Sequence, residues 1–167
     1  LCLEAQSGYY LNSSNKPTLC SSAKPDCSVC SMISNVLTCT ACSSKKFYKN
    51  DCINSCPVKT YEMTATKECF DNPANCLVAA NNSGTCTTPT TGYYLDGLNP
   101  PKKCSDNISD CLLCSIDGLK CTSCATLILF NDKCQVSCPS GTFLKTNTAT
   151  IPNVKTCITN QANCNIA

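Results

Sequence analysis

The chain has 167 residues, of which 20 are cysteine, and it contains neither His nor Trp. Its 13 basic and 11 acidic residues are scattered and leave a net charge of +2, which argues against binding to nucleic acid or to an acidic membrane surface. A cysteine content this high marks a disulfide scaffold, and disulfides persist where the surroundings are oxidising. We therefore expect an extracellular, secreted or cell-surface protein.

The cysteines are arranged as a tandem repeat. The motif C-x2-C-x8-C-x2-C-x9-C-x3-C-P runs from Cys27 to Pro57, and it returns from Cys111 to Pro139 with six residues in place of eight. Ten cysteines of the first half match ten of the second in order, and insertions fall between them, as they do in loops on a fixed scaffold. The sequence thus predicts two repeat units, residues 1–85 and 86–167.

Within each unit the elements are predicted to be short hairpins. A cysteine followed by a Gly/Thr-aromatic pair, polar turn residues and another cysteine recurs four times, starting at Cys2, Cys56, Cys86 and Cys138. The segments 43–51 and 125–133 each hold a β-prone piece and a turn, which predicts hairpins closed by their own disulfides. No segment has helical periodicity beyond about two turns. The predicted fold class is a small disulfide-rich protein of short β-hairpins with little helix, arranged as an elongated rod.

Three N-x-S sequons lie in polar, turn-like stretches, at Asn12, Asn81 and Asn107. They predict N-linked glycans on a surface that a glycosyltransferase can reach. The Thr-rich segments 87–91 and 146–150 are either O-glycan acceptors or polar connectors, and the second interpretation is the simpler one.

No catalytic or metal-binding constellation stands out. Zinc ribbons separate their C-x2-C pairs by roughly 15–20 residues, and the spacings here are 8 and 6. A catalytic triad would lack its base, because there is no His. Asp106 and Asp110 are the closest candidates for an acid pair in the second unit, but Ser22 and Asp26 take their places in the first unit, so we interpret them as solvated turn residues. We predict no enzymatic activity, no cofactor and no metal, and the sequence has no apolar run long enough for a membrane span.

The two copies of the motif, with Gly141-Thr142-Phe143 after the second, resemble the furin-like cysteine-rich modules of growth-factor receptors. The segments between the cysteines are rich in Asn, Thr, Ser and Ala. In this composition they are similar to those of protozoan surface proteins, among them the cysteine-repeat immobilisation antigens of ciliates and the variant surface proteins of diplomonads. The resemblance implies a rod of small disulfide-bonded modules that serves as coat, stalk or spacer.

The furin-like resemblance also implies a disulfide pairing. It pairs Cys42 with Cys52, Cys124 with Cys134, Cys56 with Cys69 and Cys138 with Cys157. The hairpin pattern that starts at Cys56 and Cys138 also starts at Cys2 and Cys86, and by this likeness Cys2 pairs with Cys20 and Cys86 with Cys104. Four cysteines of the first unit remain, Cys27, Cys30, Cys39 and Cys76, with their equivalents in the second unit, Cys111, Cys114, Cys121 and Cys164. Three pairings of each four stay open. On this scheme all ten cysteines of a unit pair within it.

The function expected from the sequence is that of a non-enzymatic extracellular structural protein, a glycosylated repeat of a surface coat or filament. The alternative is a ligand-binding ectodomain of receptor type, which should carry an exposed apolar patch on one unit that the other lacks. We also expect self-association, or continuation of the chain into further identical repeats, because neither end has the sequence of a capping repeat.

Overall fold

The structure is a computed structural model that describes residues 3–97, 100–148 and 154–159. Short antiparallel hairpins make up nearly all of its regular structure, and each of its two helices is a single turn. Nine disulfides link the described residues, as given below. The predicted fold class, a small disulfide-rich β protein with little helix, is confirmed, while the rod arrangement stays a prediction.

The first half of the chain contains nine strands and one helical turn among the described residues. In chain order they are β1 (Tyr9–Leu11), β2 (Pro17–Leu19), α1 (Cys20–Ala23), β3 (Cys27–Ile33), β4 (Val36–Cys42), β5 (Lys46–Tyr48), β6 (Asp51–Ile53), β7 (Thr60–Met63), β8 (Glu68–Asp71) and β9 (Cys76–Ala79).

The second half begins with β10, the partner of β9, and from β11 to β18 it repeats the order of β1 to β8. Its elements are β10 (Cys86–Pro89), β11 (Tyr93–Tyr94), β12 (Lys102–Lys103), α2 (Cys104–Asn107), β13 (Cys111–Cys114), β14 (Cys121–Cys124), β15 (Ile128–Phe130), β16 (Lys133–Gln135), β17 (Thr142–Asn147) and β18 (Val154–Thr159).

Each half contributes one compact unit. The first comprises residues 1–72 and 79–85, and the second comprises 73–78 and 86–167. Strands β9 and β10 form one hairpin, and the boundary predicted between residues 85 and 86 lies within that hairpin, at the start of β10. Its disulfide joins Cys76 to Cys86, which makes the expectation that every cysteine pairs on its own side of that boundary wrong.

Each unit has the same sheets. A two-stranded sheet comes first (β1-β2, β11-β12), then a second (β3-β4, β13-β14), then a four-stranded sheet of order β6-β5-β8-β7 or β16-β15-β18-β17. The two inner strands of the four-stranded sheet are parallel and joined by a single residue pair, Phe47 with Glu68 in one unit and Leu129 with Thr156 in the other.

Cystine takes the place of a hydrophobic core. Among the described residues, the buried hydrophobic side chains are ten cysteines together with Ala79 and Tyr94. One cluster holds Cys20, Cys27 and Cys39, and the matching cluster holds Cys104, Cys111 and Cys121. A chain with this little buried apolar surface depends on cross-links that restrict its unfolded state.

Eight of the nine disulfides form matched sets of four. In the first unit they are Cys20–Cys30, Cys27–Cys39, Cys42–Cys52 and Cys56–Cys69, and in the second they are Cys104–Cys114, Cys111–Cys121, Cys124–Cys134 and Cys138–Cys157. The last two pairs of each set are those that the furin-like resemblance implies.

Two implied pairs are wrong. Cys20 bonds to Cys30 and not to Cys2, because the turn of α1 carries the chain over to β3 and brings the two Cα atoms to 5.7 Å. Cys86 bonds to Cys76 across the β9-β10 hairpin, which leaves Cys104 for Cys114. Cys2 itself lies outside the described residues.

Of the four cysteines whose pairing stayed open in the first unit, Cys27 and Cys39 bond to each other. Cys30 and Cys76 bond to cysteines that the implied scheme had assigned elsewhere, so none of the three open pairings holds complete.

Candidate functional site

Two disulfides lie side by side at the centre of each unit. In the first unit, Sγ of Cys39 is 3.7 Å from Sγ of Cys52, and in the second, Sγ of Cys121 is 3.5 Å from Sγ of Cys134. With Cys42 or Cys124 they form groups of three sulfur atoms within 4.8 Å of one another, close enough to hold a metal if they were thiolates. All of these sulfur atoms are in disulfides, which carry no thiolate charge. Their closeness is that of a packed core.

An aspartate directly before the first C-x2-C pair clamps a loop in each unit. Asp26 accepts hydrogen bonds from the backbone N–H of Ser44 and Lys45 and from Oγ of Ser44, at 2.7–3.3 Å. Asp110 accepts the equivalent bonds from Thr126 and Leu127, at 2.7–3.0 Å. Both aspartates have a positive φ, 68° and 60°. They fix the start of the β5 or β15 hairpin against the cysteine cluster.

These hydrogen bonds favour the ionised carboxylate. The hydroxyl of Ser44 and then the N–H of Lys45 lower the pKa of Asp26. The N–H groups of Leu127 and Thr126 do the same for the pKa of Asp110.

The acid pair considered from the sequence is not a functional pair. Asp106 accepts a hydrogen bond from the backbone N–H of Lys103 at the start of α2, whereas Asp110 serves the loop before β15. The sequence interpretation of Asp110 as a solvated turn residue missed the clamp. Its signal was present, since Asp precedes the cysteine of C-x2-C in both copies while Asp106 is matched by Ser22.

Strands β5 and β8 diverge from their single pair and leave a shallow groove in the first unit. It has a volume of about 240 Å³, and its lining includes Phe47, Tyr48 and Phe70. At its edge the hydroxyl of Tyr48 donates to Asp71 at 2.6 Å, and Nζ of Lys49 lies 2.9 Å from the same carboxylate.

The second unit has a groove at the same place between β15 and β18. Its volume is about 480 Å³, and Leu129, Phe130 and Ile158 are among its lining residues. Asn131 and Thr159 stand where the first unit has Lys49 and Asp71. The groove therefore belongs to the fold, while the ion pair of Lys49 with Asp71 is specific to the first unit, and the second groove has Asp132 instead.

Two of the aromatic residues that mark the hairpins pack on glycines. A Cβ on Gly84 would lie 2.7 Å from the ring of Tyr61, and a Cβ on Gly118 would lie 2.4 Å from the ring of Tyr94. The absence of a side chain at these two turns is what lets the rings close over the hairpin ends.

The three sequon asparagines lie at the surface or near it. Asn12 is half-buried, and its Oδ1 accepts from the backbone N–H of Ser14 and Lys16. Asn81 is exposed and accepts from the N–H of Glu62, and Asn107 is exposed and donates Nδ2 to the carbonyl of Gly118. Whether they carry glycans stays a prediction.

The β3-β4 hairpin projects beyond its cysteines in a way that its counterpart does not. Three further residue pairs follow the Cys30 and Cys39 pair, and Met32, Ile33 and Val36 are 47%, 55% and 64% exposed. The pairing of β13 with β14 ends at Cys114 and Cys121. The sequence showed this feature only as a spacing of eight residues in place of six.

Within the described ranges, no helix is long and apolar enough to cross a membrane. No family model, curated protein or solved structure matches the chain.

Proposed function

We propose that the chain is a non-enzymatic structural protein of a glycosylated extracellular coat or filament. The observation that carries the proposal is the core, in which cystine replaces buried aliphatic and aromatic side chains in both units. Nine disulfides among the described residues fit an extracellular or secreted protein. A fold held by cross-links within each small module tolerates an exposed, protease-rich setting without a large hydrophobic core.

The repeat supports a structural role over a catalytic one. Disulfides, aspartate clamps and grooves recur at matching positions, while the side chains around the grooves differ between the units. Selection for one chemical reaction would favour a single specialised site. The resemblance to furin-like modules and to ciliate and diplomonad surface proteins agrees with a coat or stalk.

Glycans complete the proposal. We expect N-linked glycans at Asn12 and Asn81, which follow strands in loops, and at Asn107, which is the last residue of α2. Glycosylation leaves one N–H on Nδ2, so the bond from Asn107 to Gly118 is compatible with a glycan.

Labelling of intact source cells tests the coat. Antibodies raised against the folded chain and visualised by immunogold electron microscopy should mark a dense, continuous layer outside the cell, and glycosidase treatment should lower the mass of the native protein. Sparse labelling that is confined to discrete receptor-like foci, or labelling inside the cell only, would overturn the coat function.

A ligand-binding ectodomain is the second candidate, and one observation favours it. The extended, uncharged tip of β3-β4 occurs in the first unit, whereas the end of β13-β14 is shorter and holds Asp117 and Lys120 beside the exposed Ile116 and Leu119, and such an asymmetry is expected of a binding module. Discrete foci in the labelling experiment, with a defined partner recovered by cross-linking, would support this candidate.

A further inference from the structure

The tip of the β3-β4 hairpin, residues 31–38, exposes strand edges that are open to pairing. Strands β3 and β4 form a two-stranded sheet, so in the described part of the chain no third strand covers either edge. Ser34 and Asn35 have φ of 49° and 64° and form the two-residue turn. Such a turn makes the flanking pair, Ile33 and Val36, the hydrogen-bonded one. Because hydrogen-bonded and non-hydrogen-bonded pairs alternate, the backbone groups of Met32 and Leu37 point outward.

The tip lacks the features that normally protect a strand edge. Proteins block pairing at such edges with Lys, Pro, bulges or inward charges. Residues 27–44 contain no charged residue and no proline. The tip of the β13-β14 hairpin does carry charge, with Asp117 accepting from Ser115 and from the N–H of Leu119, and with Lys120 next to it. The tip is uncharged in the first unit and charged in the second. This difference indicates that the strand edge of the first unit has a partner strand.

We propose that this tip binds a second copy of the chain, through antiparallel pairing of β3 with β3 about a two-fold axis. Because the outward backbone groups of β3 belong to Met32, such pairing sets Met32 opposite its own copy and Ile33 opposite Ser31, and it is favourable only where no like charges meet. The uncharged segment 27–44 meets this condition. Of the two edges, β3 is the more open, since Ser31 and Met32 are exposed while their cross-strand partners Thr38 and Leu37 are half-buried.

The contact involves only a few side chains from each copy. An interface this small is expected to be weak in dilute solution, and it gains strength where copies are held at high local concentration. The contact is isologous and closes on itself, so it links copies in pairs. This inference rests on the proposed coat function, for which it names the surface where copies meet, but it can fail while the coat function stands.

Sedimentation equilibrium of the 167-residue chain, expressed with its disulfides formed, tests the proposal. From micromolar to millimolar concentration the average mass should rise from that of the 17.8 kDa chain toward twice that mass. Ile33→Lys places a charge on each pairing strand next to the two-fold axis, and we expect the dissociation constant to rise at least about tenfold. The matched control is Ile116→Lys, which adds the same charge at an equally exposed position (57%) on the other hairpin and should leave the association unchanged.

A proline pair separates the two edges. Met32→Pro removes an outward N–H from β3 without removing a bond inside the hairpin, and it should abolish the association. Leu37→Pro makes the same change on β4 and should leave it intact. Circular dichroism and a count of free thiols show that each variant is folded.

The outcomes are decisive. A wild-type chain that stays monomeric to millimolar concentration overturns the proposal, as does equal weakening by Ile33→Lys and Ile116→Lys. Loss of association in Leu37→Pro but not in Met32→Pro overturns the assignment to β3. Binding of phosphatidylcholine vesicles that Ile33→Lys abolishes, without self-association, identifies a membrane as the occupant and also overturns it.

Discussion

The hairpins β3-β4 and β13-β14 share a base and differ at the tip. Both have the same register irregularity, after Val29 in one and after Leu113 in the other, and both carry the first cysteines of two disulfides. Beyond the pair of Cys30 with Cys39, the first hairpin continues as a ladder of uncharged residue pairs. Beyond the pair of Cys114 with Cys121, the second hairpin turns back through Asp117 and Gly118. Cross-links therefore determine the base, and the tip is free to diverge.

The difference shows where function can be sought in a cystine-stabilised repeat. A position that recurs in both units, such as the Asp26 and Asp110 clamps, serves the fold. A feature that only one unit has, such as the extended uncharged tip of β3-β4, is not needed for folding, because the other unit folds without it. The predictions below test this division.

The largest expected effect follows removal of a central disulfide. The pairs Cys27–Cys39 and Cys111–Cys121 are nearly fully buried and close similar loops, with sequence separations of 12 and 10. Replacing either pair by alanines should lower the free energy of unfolding by roughly 2–4 kcal/mol. Urea unfolding followed by circular dichroism measures the loss, and hydrogen exchange locates it.

If the division is correct, the two losses are equal and each is confined to its own unit. A loss in the first unit that is much smaller than in the second would show that the longer β3-β4 ladder compensates for its disulfide, so that the tip is structural after all.

The next effect concerns the aspartate clamps. Asp26→Asn and Asp110→Asn keep the shape of the side chain but remove the charge that the N–H groups of Lys45 and Leu127 face. Each should destabilise its unit by less than the loss of a disulfide. Thermal unfolding at neutral pH provides the measurement, and equal decreases are expected, because the two sets of bonds match.

The clamps also predict a pH dependence. The pKa of each carboxylate is lower in the folded state than the ordinary 3.8, so the folded state binds fewer protons than the unfolded state. The stabilisation is complete above the ordinary pKa and is lost as the pH falls through the folded pKa. The wild-type chain should lose stability below about pH 4, and the double Asn variant should lose less over the same interval. Equal losses would contradict the assignment.

Much of this architecture was predictable from cysteine spacing and turn residues. The hairpins closed by Cys42–Cys52 and Cys124–Cys134 followed from β-prone residues between two cysteines. The pairing of Cys20 with Cys30 could not be predicted in this way, because it depends on the single turn of α1, which is too short to leave a periodic pattern in the sequence. The disulfide between Cys76 and Cys86 could not be predicted either, because an internal repeat shows which residues are equivalent but not where one module ends.

The candidate surface was even less accessible. Two extra residues between cysteine pairs do not by themselves indicate whether the insertion is a loop or a ladder. Only the register of Ile33 with Val36 shows that Met32 and Leu37 have outward backbone groups.

A smaller effect is expected at a buried hydroxyl. Ser123 is 3% exposed, and its Oγ has no hydrogen-bond partner in the described part of the structure, whereas Ala41 occupies the matching place in the first unit. Ser123→Ala should raise the free energy of unfolding by about 1 kcal/mol, measured by urea unfolding. The reverse change, Ala41→Ser, should cost less than that gain, because Ala41 is only half-buried. Destabilisation by Ser123→Ala would mean that the hydroxyl has a role that the first unit lacks.

The smallest effect is expected where the charges of the two grooves differ. Lys49 pairs with Asp71 at 2.9 Å and lies over the ring of Tyr48, at 4.8 Å from its centroid, yet both charged side chains are more than half exposed. The double variant Lys49→Asn with Asp71→Thr gives the first groove the residues of the second. Since the second unit keeps its β15-β18 pairing with those residues, and solvent screens an exposed ion pair, thermal unfolding of the variant should be indistinguishable from wild type at physiological salt. The matched control, Asn131→Lys with Thr159→Asp, should also leave thermal unfolding unchanged. A clear loss of stability in the first variant alone would show that these charges stabilise the first unit. It would contradict the rule that a feature found in only one unit is not needed for folding.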